Sequence, residues 1–139
     1  MSLSGSAELE VSRLRSDALA LLSQDDPNSI VVWERFLRMH LEAFSDIDRC
    51  YYAVSLCENG MLFEGGELID ILVHRLPESA DVHAAAGRCA FLRGKQQESW
   101  WHLSRALELD PEHVHADRWF TRMASSKVLA PVFFAAPGR

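Results

Sequence analysis

The sequence predicts an all-α protein of about seven helices, stacked as antiparallel pairs in a right-handed α-α superhelix. First, apolar residues recur at helical spacing along the chain, and no segment alternates as a half-buried strand would. Second, short breaks containing Gly or Pro separate these segments, and short connections favour antiparallel neighbours. Third, Pro77 and Pro111 lie 34 positions apart, as do Gly60 and Gly94. This offset is the period of a helix–turn–helix repeat.

The first half of the chain predicts three helices. The first covers residues 7–23, and the sequence Asp-Asp-Pro-Asn that follows it ends the helix. Asp26 is then expected to cap a second helix whose first position is Pro27 and which extends to Phe44. Ser45 begins the third helix, to about residue 58, with Asp48 three positions later as in a capping box.

The second half predicts four more helices and a tail. Asn59-Gly60 and Gly94 are expected to end two helices in the left-handed conformation. The remaining helices are expected at residues 63–76, 79–94, 96–109 and 110–126, the last beginning at Asp110-Pro111. Residues 127–139 are apolar and contain prolines, so an extended tail is expected there.

Composition narrows the function classes. The chain has 139 residues, of which 48% are hydrophobic, enough for the core of one domain. A net charge of −6 disfavours nucleic acid as a partner. The N-terminus lacks a secretory signal pattern, and no apolar run has the length of a membrane span. Cys50, Cys57 and Cys89 have no metal-ligand spacing, so we expect buried thiols in a cytoplasmic protein.

Residues 80–113 resemble a tetratricopeptide repeat without gaps. Gly87, Gly94, Ala106 and the ending Arg-Ala-Leu-Glu-Leu-Asp-Pro at residues 105–111 stand at the family's usual positions. Residues 46–79 resemble a more divergent copy. The resemblance divides the chain into a repeat-like helix pair, two repeats, a capping helix and a tail, at residues 1–45, 46–79, 80–113, 114–126 and 127–139.

One departure from the family pattern concerns helix stability. Gly65 stands where the family usually has Ala, and Gly66 follows it. Each Gly costs a helix about 1 kcal/mol relative to Ala, so we expect residues 46–79 to be locally loose.

The resemblance implies a scaffold that binds a protein or peptide partner in a concave groove. The groove residues it implies are Tyr51, Val54, Arg88, Phe91, Arg118, Trp119 and Arg122. The three arginines would pair with acidic groups of the partner. The polar residues with which chaperone-binding members clamp a terminal carboxylate are absent, because Cys50, Val54 and Ala85 occupy their places.

No pattern indicates catalysis, a cofactor or a metal site. His113 and His115 are two positions apart on a helix and point away from each other, so they cannot share a metal ion. No His or carboxylate lies at a spacing that would activate Cys57.

The sequence therefore favours a non-enzymatic, cytoplasmic adaptor. One alternative is a chaperone-like protein of the small secretion type, whose N-terminal helices would form a homodimer. The other is the non-catalytic repeat region of a larger enzyme such as a transferase, since the chain can be a piece of a longer protein.

Overall fold

A computed structural model describes residues 4–126, which form seven α-helices and contain no strand, confirming the all-α prediction. The helices are α1 (Gly5–Ser23), α2 (Ser29–Met39), α3 (Asp46–Glu58), α4 (Leu62–Arg75), α5 (Ala80–Leu92), α6 (Gln96–Leu109) and α7 (Val114–Ala124). A short 3₁₀ turn, Leu41–Ala43, follows α2. The predicted tail at 127–139 lies outside the described residues.

The helices stack as consecutive hairpins. Helices α1 and α2, α3 and α4, and α5 and α6 pack against each other, and α5 also packs between α3 and α7. The core runs continuously through the stack. Its largest fully buried side chains are Trp33, Trp119, Phe36, Leu22, Ile69, Leu72, Leu103 and Met123.

Helices α1, α3 and α5 end in the same way. Asp25, Gly60 and Gly94 each have a positive φ, at 56°, 84° and 79°. In each case the next residue donates its N–H to a carbonyl five positions back, which is the 6→1 bond of a Schellman motif. The predicted stops at Gly60 and Gly94 are confirmed, and Asp25 does the same for α1.

Two predicted helix starts are wrong for a shared reason. At both Asp-Pro sites the Asp side chain accepts an N–H from two residues ahead, from Asn28 to Asp26 at 2.9 Å and from Glu112 to Asp110 at 3.1 Å. The proline thus sits in a turn, and the helix begins afterwards. Helix α7 is capped instead by His113, whose Nδ1 accepts the Ala116 N–H at 3.1 Å.

The end of α2 also differs from the prediction. The helix stops at Met39, where the predicted helix continues to Phe44. The 3₁₀ turn redirects the chain so that Phe44 packs edge-on against Phe36, with 4.9 Å between ring centroids. The capping box at the start of α3 is confirmed, with Ser45 and Asp48 exchanging hydrogen bonds of 2.9 and 3.1 Å.

Gly65 is a close-contact position between α3 and α4. A Cβ atom there would lie 2.5 Å from Cys57 Sγ and 2.8 Å from the carbonyl oxygen of Ala53. At Gly87 a Cβ would lie 2.5 Å from Leu103 Cγ. These glycines allow the helices to approach closely, a role that helix propensity alone does not reveal.

Candidate functional site

Three arginines of the predicted groove lie together and share one acidic neighbour. Arg122 Nη1 on α7 is 2.6 Å from Asp25 Oδ2, and Arg88 Nη2 on α5 is 4.0 Å from Asp25 Oδ1. Arg88 Nε is also 3.5 Å from Glu58 Oε2, at the end of α3. Arg118 lies within the electrostatic reach of both acids and both other arginines. We call Arg88, Arg118 and Arg122 the arginine cluster.

Aromatic rings lie against these guanidinium groups. Arg118 Cζ is 5.2 Å from the Trp119 ring centroid, and Arg88 Cζ is 6.0 Å from the same ring. Arg88 Cζ is also 5.8 Å from the ring of Phe91. These distances are within the range of cation–π attraction, which helps to hold the arginines in place.

The charges within the site are unbalanced. Three guanidinium groups face the two carboxylates of Asp25 and Glu58. Burial raises the pKa of Glu58, although Arg88 opposes the shift. Burial also lowers the pKa of Arg118, where Asp25 opposes the shift and Arg122 and Arg88 add to it. Within residues 4–126, these five side chains therefore carry one more positive than negative charge.

Several buried polar atoms of this site have no hydrogen-bond partner within residues 4–126. The donors are Arg118 Nε and Nη2, Arg88 Nε and Trp119 Nε1. The acceptors are Asp25 Oδ1 and both carboxylate oxygens of Glu58. Buried polar atoms in folded proteins nearly always have a partner. The site thus has hydrogen-bonding capacity that the described residues leave unused.

Three of the residues that the resemblance places in the groove are buried. Tyr51 is 4% exposed, Val54 0% and Trp119 2%. Phe91 and Arg118 are half-buried, and Arg122 is exposed. Of these predicted groove residues, Phe91, Arg118 and Arg122 therefore reach the surface, and Tyr51, Val54 and Trp119 do not. Contact with a partner stays a prediction for all of these residues.

The buried Tyr51 belongs to a separate hydrogen-bonded group. Its hydroxyl donates to Asp81 Oδ1, and His113 Nε2 lies 2.8 Å from the same oxygen. Because His113 Nδ1 accepts the N–H of Ala116, the ring proton is on Nε2 and is donated to Asp81. The hydrogen bond from His113 lowers the pKa of Asp81, and that from Tyr51 adds to the effect. The group ties α3, α5 and α7 together.

Within residues 4–126, no cluster of three or more His, Cys, Asp or Glu side chains is placed to hold a metal ion. Both nitrogens of His113 are engaged, as described above, while the neighbouring His115 stacks on Trp119 at 5.3 Å. Cys50, Cys57 and Cys89 are free and buried, as predicted. None of the helices in this part of the chain is both long enough and apolar enough to cross a membrane.

Sequence reasoning missed the two acids of the site, Asp25 and Glu58. Asp25 is the first residue of the sequence Asp-Asp-Pro-Asn that follows α1, and Glu58 is the last residue of α3, before Asn59-Gly60. The 34-residue period does indicate a turn at Asp25, because it places this residue one position before the equivalent of Gly60 and Gly94. Its contact with α7 depends on how the helix pairs stack.

No protein-family model matches this chain, and no curated protein sequence matches it. Among solved structures, "MamA RS-1 ArsTM double mutant" is similar, with a TM-score of 0.52 and 16% sequence identity. The match covers 89% of this chain and 71% of that one, which is a protein containing tetratricopeptide repeats. The fold is tetratricopeptide-like. An identity this low carries the fold alone.

Proposed function

We propose that this protein is a non-enzymatic adaptor that binds a segment of a protein partner at the arginine cluster. The observation that carries the proposal is that Arg88 of α5 and Arg122 of α7 both pair with Asp25, with Arg118 close enough to be affected by its charge. Trp119 and Phe91 lie beside these arginines. Arg and aromatic residues are enriched where binding energy concentrates in protein interfaces. Helices α5 and α7 are held rigidly by the core, so the side chains are presented on a fixed frame.

The partner segment would be acidic. Arg122 is exposed and would form the first ion pair, while half-buried Phe91 would contact apolar side chains of the segment. The buried Trp119, Tyr51 and Val54 would support this surface from beneath. Such a small surface is expected to give a Kd on the order of micromolar for a single segment.

Cytoplasmic location, a homodimer and the two alternative functions remain proposals. A secretion-type chaperone predicts a dimer that is lost on deletion of residues 1–44. Light scattering of the full chain and of the deleted chain measures this directly. A monomeric full chain contradicts the chaperone alternative and leaves the adaptor proposal as it stands.

The test of the adaptor proposal is selection of ligands from a displayed library of random twelve-residue peptides. Selected peptides are then titrated by calorimetry against the wild type, Arg122→Ala and Phe91→Ala. We expect each variant to bind at least fivefold more weakly, as loss of about 1 kcal/mol implies. Arg38→Ala is the control, because Arg38 is exposed on α2, away from the cluster. The proposal fails if no peptide is selected, or if Arg122→Ala and Phe91→Ala bind like the control.

A further inference from the structure

We propose that the arginine cluster is a carboxylate-binding site in which Asp25 acts as an internal competitor, so that a partner's carboxylate binds Arg118 and Arg122 by displacing it. This inference rests on the proposed function and names the chemistry and the regulation of the same site.

Arg118 has two adjacent donor atoms without a hydrogen-bond partner among the described residues. Its Nε and Nη2 lie on one edge of the guanidinium group, the edge that donates two parallel hydrogen bonds to a carboxylate. Both atoms are buried and have no hydrogen-bond partner within the described chain, residues 4–126. Arg88 and Arg122 already face Glu58 and Asp25. Among the described residues, Arg118 is therefore the arginine of the cluster that forms no ion pair and has both atoms of this edge unpaired.

The exchange specifies a carboxylate. The incoming group takes the place of the Asp25 carboxylate beside Arg122, so a group with one negative charge leaves the net charge of the cluster unchanged. The two oxygens of a planar carboxylate also match the bidentate edge of Arg118. Glu58, whose side chain is 8% exposed, keeps its place beside Arg88.

Asp25 is placed to compete. Its carboxylate is 34% exposed, so it lies at the surface edge of the cluster, and its contact with Arg88 is long, at 4.0 Å. It is held by the turn after α1, where its backbone adopts the left-handed conformation with φ of 56°. Exchange with a partner's carboxylate replaces one ion pair by another of the same kind. The exchange is therefore close to balanced, and a second contact such as Phe91 can tip it.

Removal of the Asp25 charge tests the competition. Asn tolerates the left-handed backbone, so Asp25→Asn keeps the turn and removes the ion pair. The probes are fluorescein-labelled hexaglutamate and, as an uncharged match, hexaglutamine, titrated at low salt by fluorescence anisotropy. We expect Asp25→Asn to bind hexaglutamate about fivefold more tightly than the wild type, the scale of one exposed ion pair. Asp17→Asn, on the exposed surface of α1, changes the net charge equally and should leave the affinity unchanged.

Replacement of Arg118 tests the bidentate edge. Arg118→Lys keeps the charge but loses the edge, and we expect hexaglutamate to bind about tenfold more weakly. Arg38→Lys is the matched control. In ¹H–¹⁵N spectra, the Trp119 indole and Arg118 Nε–H signals should shift in a saturable way with hexaglutamate and not with hexaglutamine. Thermal melts establish that each variant is folded.

The inference is overturned if Asp25→Asn binds no more tightly than Asp17→Asn, or if Arg118→Lys binds like Arg38→Lys. Its failure can be separated from that of the adaptor proposal. Library peptides that need Arg122 and Phe91 but are indifferent to Arg118→Lys would support the adaptor and refute the carboxylate site. Saturable binding of hexaglutamate without any selected peptide would support the carboxylate site and refute the adaptor.

Discussion

Asp25 Oδ2 lies 2.6 Å from Arg122 Nη1, which joins the turn of the first helical hairpin to the last helix described. In a stack of helical repeats each unit contacts chiefly its neighbours, so a bond between the first and last units is a long-range constraint. It bridges α1 and α7 over the ends of α3 and α5, where Glu58 and Arg88 also meet. The same bond that limits access to the arginine cluster therefore also braces the stack.

We expect this bond to contribute about 0.5–1 kcal/mol to the free energy of unfolding, because both side chains are partly exposed. Arg122→Gln, Asp25→Asn and the double variant form a double-mutant cycle that isolates the pair. The measurement is urea unfolding at low salt and at 1 M salt. The coupling should fall at high salt because screening weakens exposed pairs. Strictly additive single effects at low salt would show that the pair does not couple the two ends.

Features encoded within a few residues could be predicted from the sequence. The Ser45–Asp48 capping box and the stops at Gly60 and Gly94 are local hydrogen-bond patterns, and the structure confirms them. The wrong starts at Asp26 and Asp110 are also local. An Asp before Pro suits a turn and a helix cap equally well, and the sequence does not decide between them.

Features that depend on stacking could not be predicted. The contact of Asp25 with α7 requires the position of the first hairpin relative to the last helix. The burial of Tyr51 and Val54 has the same origin, because residues that would line an open groove are covered when α5 packs against α3 and α7 packs against α5. The arginines could be placed on a common side by the repeat pattern, but their acidic partners could not.

Gly65 and Gly66 give a matched test of close packing. Gly65→Ala should destabilise the fold by about 1–3 kcal/mol, because its Cβ would collide with Cys57 Sγ and the Ala53 carbonyl. Gly66→Ala meets only the guanidinium end of Arg93, which can move away. Helix propensity then favours Ala, so we expect Gly66→Ala to be neutral or up to about 1 kcal/mol more stable. Chemical denaturation compares the two, and equal effects would refute the contact argument.

Asp48 is expected to matter far more than its neighbour Asp46. Asp48 is buried, accepts two bonds from Arg15 at 2.8 and 2.9 Å, and accepts the Ser45 N–H. Asp48→Asn removes the charge and should cost about 1–3 kcal/mol, since the buried Asp48 loses its ion pair while water partly screens Arg15, which is 39% exposed. Asp46→Asn, which weakens exposed pairs with Arg49 and Arg75, should cost less than about 1 kcal/mol. Thermal unfolding separates these values, and a similar loss for both would argue against the buried pair.

Two half-buried histidines should make the protein less stable as the pH falls from 6.5 to about 4. Burial lowers the pKa of His102 and His115 to about 4, from 6.5. At His102 the charge of the neighbouring His83 ring adds to the shift, because His83 Nδ1 lies 3.0 Å from His102 Nδ1 and two positive rings at that distance repel each other. Between pH 6.5 and 4 the unfolded chain therefore binds protons that the folded chain does not.

This difference in bound protons lowers the free energy of unfolding as the pH falls. Stability is fully present above pH 6.5 and falls as the pH decreases through the window to 4. At pH 5 each histidine should cost about 1–2 kcal/mol, with allowance for partial exposure. The stabilisation from Asp81, whose pKa is lowered, is lost mainly at lower pH. Urea unfolding at pH 7 and pH 5 should show the loss in the wild type and about half of it in His102→Gln. His74→Gln, on the exposed surface of α4, should behave like the wild type. A pH dependence that His102→Gln leaves unchanged would exclude His102 as its source.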